Sequence, residues 1–119
     1  MESQREIEKK YKRLMDDVAT HDFYKVDLTN RVNCYVCSCR HITKTKDVDA
    51  GVTPFLSECE ACGRMAQSTM YRDIAPEKQP TIEWYRPTLK EVLKMRNKPM
   101  LLDHILNGGL DCRKITPST

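Results

Sequence analysis

Five of the six cysteines fall into two clusters, Cys34-Tyr-Val-Cys37-Ser-Cys39-Arg-His41 and Cys59-Glu-Ala-Cys62-Gly63. The clusters stand about twenty residues apart, a spacing that suits one metal ion held between two turns. Zinc takes four soft ligands at the corners of a tetrahedron. A Cys-x-x-Cys turn offers two sulfurs from one hairpin, while neighbouring amides donate to the thiolates. The second cluster has this form, and Gly63 supplies the positive φ that lets the chain turn around the ion. The first cluster leaves a choice. Cys34-x-x-Cys37 has the standard spacing, whereas Cys37-x-Cys39 has a one-residue spacer but ends in a Cys-x-His step, after which Arg40 to Thr43 run into a strand. Cys37, Cys59 and Cys62 serve in either reading. Cys39 is preferred as the fourth ligand, Cys34 is its alternative, and His41 in a Cys₃His set is a third possibility.

The same four sulfurs would also hold iron, so zinc is the expected ion and iron the second choice. Haem attachment needs Cys-x-x-Cys-His, which neither cluster contains. Catalytic zinc keeps an open position for water among histidine and carboxylate ligands, and a four-sulfur cage offers none. No paired carboxylates or phosphate-binding loop stand out. A Cys112–His104 nucleophile pair is the one catalytic pairing to weigh, and a lone cysteine is more often inert. The expectation is a protein that is not an enzyme.

The start of the chain, Met1-Glu-Ser-Gln-Arg-Glu, lacks the apolar stretch of a secretion signal. That favours reduced thiols over a disulfide framework and a cytoplasmic location. No apolar run approaches membrane-spanning length. The formal charge is +3, and four thiolates on one Zn²⁺ would bring it to +1, almost no bias toward nucleic acid. Residues 1–31 carry seven Lys and Arg against seven Asp and Glu, residues 32–75 five against five, and residues 76–119 eight against five. Basic surface therefore belongs to the C-terminal third.

The elements that must position the cysteines read as follows. Ile7, Tyr11, Leu14, Met15 and Val18 recur at helical spacing from Glu2 to about Ala19, giving an amphipathic helix that docks by one narrow stripe. Period-two runs then predict strands over 24–28, 31–36, 42–48, 52–56 and 64–71, so strands flank each cysteine cluster. Ala75 to Pro80 is a proline-bounded linker, and Ile82 and Trp84 form a short strand that packs on the metal module. Thr88 and Glu91 make a capping box for a helix, Pro99 opens a second, and Asn107-Gly108-Gly109 stops it. The organisation expected is α+β. An N-terminal helix and lead-in fill 1–31, a metal module 32–73, a linker and short strand 74–87, a two-helix hairpin 88–109, and a frayed tail 110–119.

Residues 32–73 resemble the zinc-ribbon (rubredoxin-like) superfamily through Cys37-Ser-Cys39-Arg40-His41, a hairpin, and Cys59-Glu-Ala-Cys62-Gly63. Arg40 departs from the glycine of such turns. The resemblance implies β-hairpins around one structural zinc and names a fold rather than a function. The whole chain resembles small uncharacterised proteins common in bacterial genomes and their mobile elements. Function is expected at the surface: a protein-binding adaptor or regulator first, and second a nucleic-acid-binding module using Arg40, Lys44, Lys46 and the basic face of Lys90, Lys94, Arg96 and Lys98. A rubredoxin-like iron redox protein stands below both.

Overall fold

A computed structural model describes residues 3–115; the expected helix start at Glu2 and the last four tail residues lie outside them. Helix α1 (Gln4–Thr20) begins at Ser3, whose side chain accepts from the Glu6 amide. Its stripe buries Ile7 and Leu14. A 3-10 turn follows over Asp22–Tyr24. No strand forms over 24–28, contrary to the period-two reading. The Asp27 carboxylate accepts from both the amide (2.9 Å) and the hydroxyl (2.6 Å) of Thr29, a local turn that competes with extended pairing.

Two antiparallel hairpins follow. Strands β1 (Val32–Val36) and β2 (Ile42–Asp47) make the first, and β3 (Leu56–Glu58) and β4 (Met65–Ser68) the second. Because β1 also pairs antiparallel with β4, both hairpin turns lie at the same end of the sheet. Strand β4 stops short of the expected Tyr71 because Met70 and Tyr71 take φ of 56° and 67°. The buried Asn33 side chain holds that bend, accepting from the Tyr71 amide at 3.1 Å.

Strand β5 (Ile82–Tyr85) adds to β2 in parallel, and β6 (Asp111–Lys114) pairs antiparallel with β5. One six-stranded sheet results, in the order β3-β4-β1-β2-β5-β6. Residues 111–114 are therefore a strand, which corrects the frayed-tail expectation for them. Asp-Cys-Arg-Lys carries no apolar alternation, and pairing with β5 makes it a strand. The sheet curls. Val52, on the way into β3, bridges in parallel to Gly109, on the way into β6, so the sheet's two ends meet there.

One core cluster lies inside this curl: Tyr35, Cys37, Cys59, Ala66, Trp84 and Leu110. Trp84 is in the core as expected, its ring nitrogen donating to Thr45 Oγ1 at 3.1 Å, and the Tyr35 hydroxyl donates to the Pro54 carbonyl at 2.7 Å. Helix α2 (Leu89–Leu93) starts with the Thr88–Glu91 capping box, and α3 (Pro99–Leu106) has Pro99 in its first turn. Gly108 follows α3 at φ 98°. Rather than pairing on their own, these helices join α1 in a second cluster of Ile7, Val92, Leu102 and Ile105. Each such side chain stabilises the fold by roughly 1.5–3 kcal/mol. No helix among the described residues is long and apolar enough to cross a membrane.

Candidate metal centre

Cys37 and Cys39 sit in the turn between β1 and β2, and Cys59 and Cys62 in the turn between β3 and β4. The β1–β4 pairing brings the two turns together, and the four sulfurs all lie within 4.8 Å of one another. Cys37 and Cys62 sulfurs are 3.4 Å apart, and those of Cys39 and Cys59 3.7 Å. A tetrahedron of Zn–S bonds has S–S edges of about 3.8 Å, so the donor set fits a tetrahedral thiophilic ion. All six cysteines are free thiols. Among the described residues, these four form the one group of His, Cys, Asp and Glu spaced to hold a metal.

Each turn closes by the same pair of backbone bonds. In the second, the Cys59 amide donates to the Arg64 carbonyl (2.7 Å) and Gly63 to Cys59 (2.9 Å), with Gly63 at φ 78°. The Cys37 amide in the first turn donates to the His41 carbonyl (3.2 Å) and Arg40 to Cys37 (2.9 Å), with Arg40 at φ 73°. The first turn thus does in five residues what the second does in six, and the residue omitted lies between the cysteines. Arg40 occupies the left-handed position that glycine fills opposite.

Amides also point at the sulfurs. The Ala61 amide donates to Cys59 Sγ at 3.4 Å. Donation from the Cys39 amide leads the effects that lower the Cys37 thiol pKa to about 6, with the neighbouring thiols adding to it against desolvation. Cys39 moves the other way, to about 12: the His41 amide favours its thiolate, but the Cys37 sulfur, burial and the other two sulfurs together outweigh that. Desolvation is the largest influence on Cys59, yet the Ala61 and Cys62 amides and the Cys39 thiol prevail and lower its pKa. Four sulfurs this close cannot all ionise unaided; a divalent cation removes that limit.

Cys34 is elsewhere. Three residues before Cys37 along an extended chain, it faces the other side of the sheet. There it is fully buried, opposite Lys44 across the strands and 3.9 Å from Asp73 Oδ1. Its thiol does not reach the cluster, and the Cys34-x-x-Cys37 spacing is coincidental. Lys44 is not surface-exposed either. At 6% exposure its ammonium is held by Asp73 Oδ2 (3.0 Å) and the Ala75 carbonyl (3.2 Å), which corrects its expected partner-facing role. Alternation puts Lys44 on the face that residues 73–75 cover. Arg40, Lys46, Lys90, Lys94, Arg96 and Lys98 are exposed.

His41 lies outside the sulfur cluster, its Nε2 2.8 Å from Glu60 Oε1, while Thr81 donates to Glu60 Oε2 at 2.5 Å. These contacts tie both turns to the start of β5. Sequence reasoning missed this link, and the one available signal was that His41 and Glu60 each follow a cysteine closely. The Cys112–His104 pairing does not form as a catalytic site: His104 Nε2 contacts the Leu110 carbonyl at 3.0 Å, and Cys112 lies opposite Trp84 on β6. Comparison with family models, curated proteins and solved structures finds no match to this chain.

Proposed function

We propose that the chain is a non-catalytic zinc-ribbon protein that works as a protein-binding adaptor or regulator, its zinc held by Cys37, Cys39, Cys59 and Cys62. The observation that carries this reading is the all-sulfur cluster, four thiols within 4.8 Å from two turns of adjacent hairpins. Such a set leaves no position for water, so the ion organises structure. Zinc is preferred over iron as the commoner occupant of such cages. What the metal holds in place is the outer face of the two hairpins, where Leu56, Gln67 and Val36 stand side by side across three strands and Met65 lies next to them. Val36, Leu56 and Met65 are 40%, 43% and 55% exposed, an apolar row that suits a protein partner.

Nucleic-acid binding is the second reading. It is favoured by Lys90, Lys94, Arg96 and Lys98, which are exposed and make no ion pair among the described residues. One experiment separates the two. A photo-crosslinking residue at Met65 in the zinc-loaded protein should capture a defined protein in cells, lost when Leu56 is changed to Asp. Retention of random DNA or RNA at low salt, where phosphate contacts are strongest, would favour the second reading instead. Visible absorption of the purified protein would indicate iron.

A further inference from the structure

The curled sheet is closed at one end and split at the other. Beside the Val52–Gly109 bridge the Leu110 amide donates to the Val52 carbonyl at 2.8 Å, and the Val52 amide to the Gly108 carbonyl at 3.1 Å. From there β3 and β6 run on in the same direction, as strands that follow a parallel bridge. No further bridge joins them among the described residues. Between them opens a cleft of about 350 Å³. Ser57 and Glu58 of β3 line one wall and Cys112 and Lys114 of β6 the other, with Thr43 and Thr45 among the remaining lining residues. Cys59 of the sulfur cluster borders the same space.

The hydrogen-bond phase of β3 determines what its open edge offers. The Ser68 amide donates to the Phe55 carbonyl and the Cys59 amide to the Arg64 carbonyl. Residues 55, 57 and 59 therefore face β4, and the N–H and C=O groups of Leu56 and Glu58 face away from it. On β6 the amides of Cys112 and Lys114 face outward, and the first is already covered, because the Cys112 N–H donates to Asp111 Oδ1 at 2.9 Å. Among the described residues nothing similar covers the Leu56 and Glu58 amides of β3. An edge of this kind, beside a cleft that opens from a single parallel bridge, selects an extended chain, since only a strand satisfies alternate main-chain donors and acceptors.

We propose that an extended peptide segment of a partner protein adds to the free edge of β3 and fills the split between β3 and β6. This rests on the protein-binding reading above and gives it a place. The added strand enters where the direct pairing of the two segments at the Val52–Gly109 bridge ends. Its outward side chains extend the exposed row of Leu56 and Val36, so apolar residues are favoured there. Glu58 and Lys114 are exposed and make no ion pair among the described residues, and they select charge: a basic residue beside the first, an acidic one beside the second. Zinc binding by Cys59, next to the edge, fixes the strand to which the peptide adds.

The probe is a phage-displayed library of random peptides about ten residues long, the upper range of strand lengths, selected on the zinc-loaded full chain. Enriched peptides should slow hydrogen exchange at the Leu56 and Glu58 amides. Leu56→Pro removes an outward N–H and leaves the β4 ladder intact; it should weaken binding about tenfold with zinc content unchanged. Glu58→Lys, which makes no demand on the backbone, should weaken peptides carrying a basic residue and spare those without one. Peptides that protect other amides, or that bind both variants as tightly as the parent, would overturn strand addition while leaving the adaptor reading standing. A library yielding no binder would overturn strand addition, and the crosslinking experiment would then decide the adaptor reading separately. Self-association that protects the same two amides would assign the edge to a second copy and overturn the peptide.

Discussion

The two cysteine turns reach the same geometry from different sequences. Cys59-Glu-Ala-Cys62-Gly63 has a two-residue spacer and glycine at the left-handed position. Cys37-Ser-Cys39-Arg40-His41 has one residue between the sulfurs and arginine at φ 73°. Both close by an amide of the first cysteine reaching a carbonyl beyond the second, and both point amides at sulfur. The four-sulfur cluster is therefore defined by which groups meet where the turn closes. Spacing is a weaker guide: in the first cluster the standard spacing, Cys34 to Cys37, is the one the fold does not use.

The comparison breaks most completely if the proposed ion is removed. Chelation should dissolve the ordered sheet, because binding of a structural zinc contributes on the order of 10 kcal/mol in small modules. Amide exchange at Tyr35 and Ala66 should then approach unprotected rates, while helical signal from α1 persists in part through the separate cluster of Ile7, Val92, Leu102 and Ile105. Retained strand protection in the chelated protein would count against a structural ion.

Smaller effects sharpen the contrast between the turns. Gly63→Ala should destabilise by about 1–2 kcal/mol, all of it backbone, since a Cβ there meets nothing within 4 Å. Denaturant titration of the zinc-loaded variant reads this directly, and an unchanged midpoint would show that the second turn tolerates a side chain as the first does. Arg40→Gly is the mirror experiment and the smallest effect: relief of strain, offset by glycine's greater freedom in the unfolded chain, should leave a gain of about 0.5 kcal/mol. A loss instead would mean that Arg40 makes a contact that outweighs its strain.

Much of this fold was legible where local physics decides. The stripe of Ile7 and Leu14, the Thr88–Glu91 capping box, Pro99 in the first turn of α3 and Gly108 after it follow from short-range rules, and each appears as read. What was not legible depends on partners distant in sequence. Asp111–Lys114 is a strand only because β5 lies beside it, and residues 24–28 fail to become one because no neighbour outweighs the Asp27–Thr29 turn. Lys44 looks like surface charge until Asp73 and Ala75 fold over it. At the candidate metal site, the sequence already marked Cys37, Cys59 and Cys62, which the fold brings together. The choice of Cys39 over Cys34 depended on where β1 ends: strand alternation turns Cys34 away, whereas Cys39 already lies in the turn.

That choice is also the most direct test of the cage. Native mass spectrometry of the parent chain should show one zinc ion, and Cys34→Ser should keep it, at a modest cost from altering a buried thiol near Asp73. Cys39→Ser should lose the ion or hold it far more weakly, because one of four charged corners becomes a neutral hydroxyl. Loss of zinc from Cys34→Ser with retention in Cys39→Ser, or no loss from either, would contradict the four-sulfur centre described above.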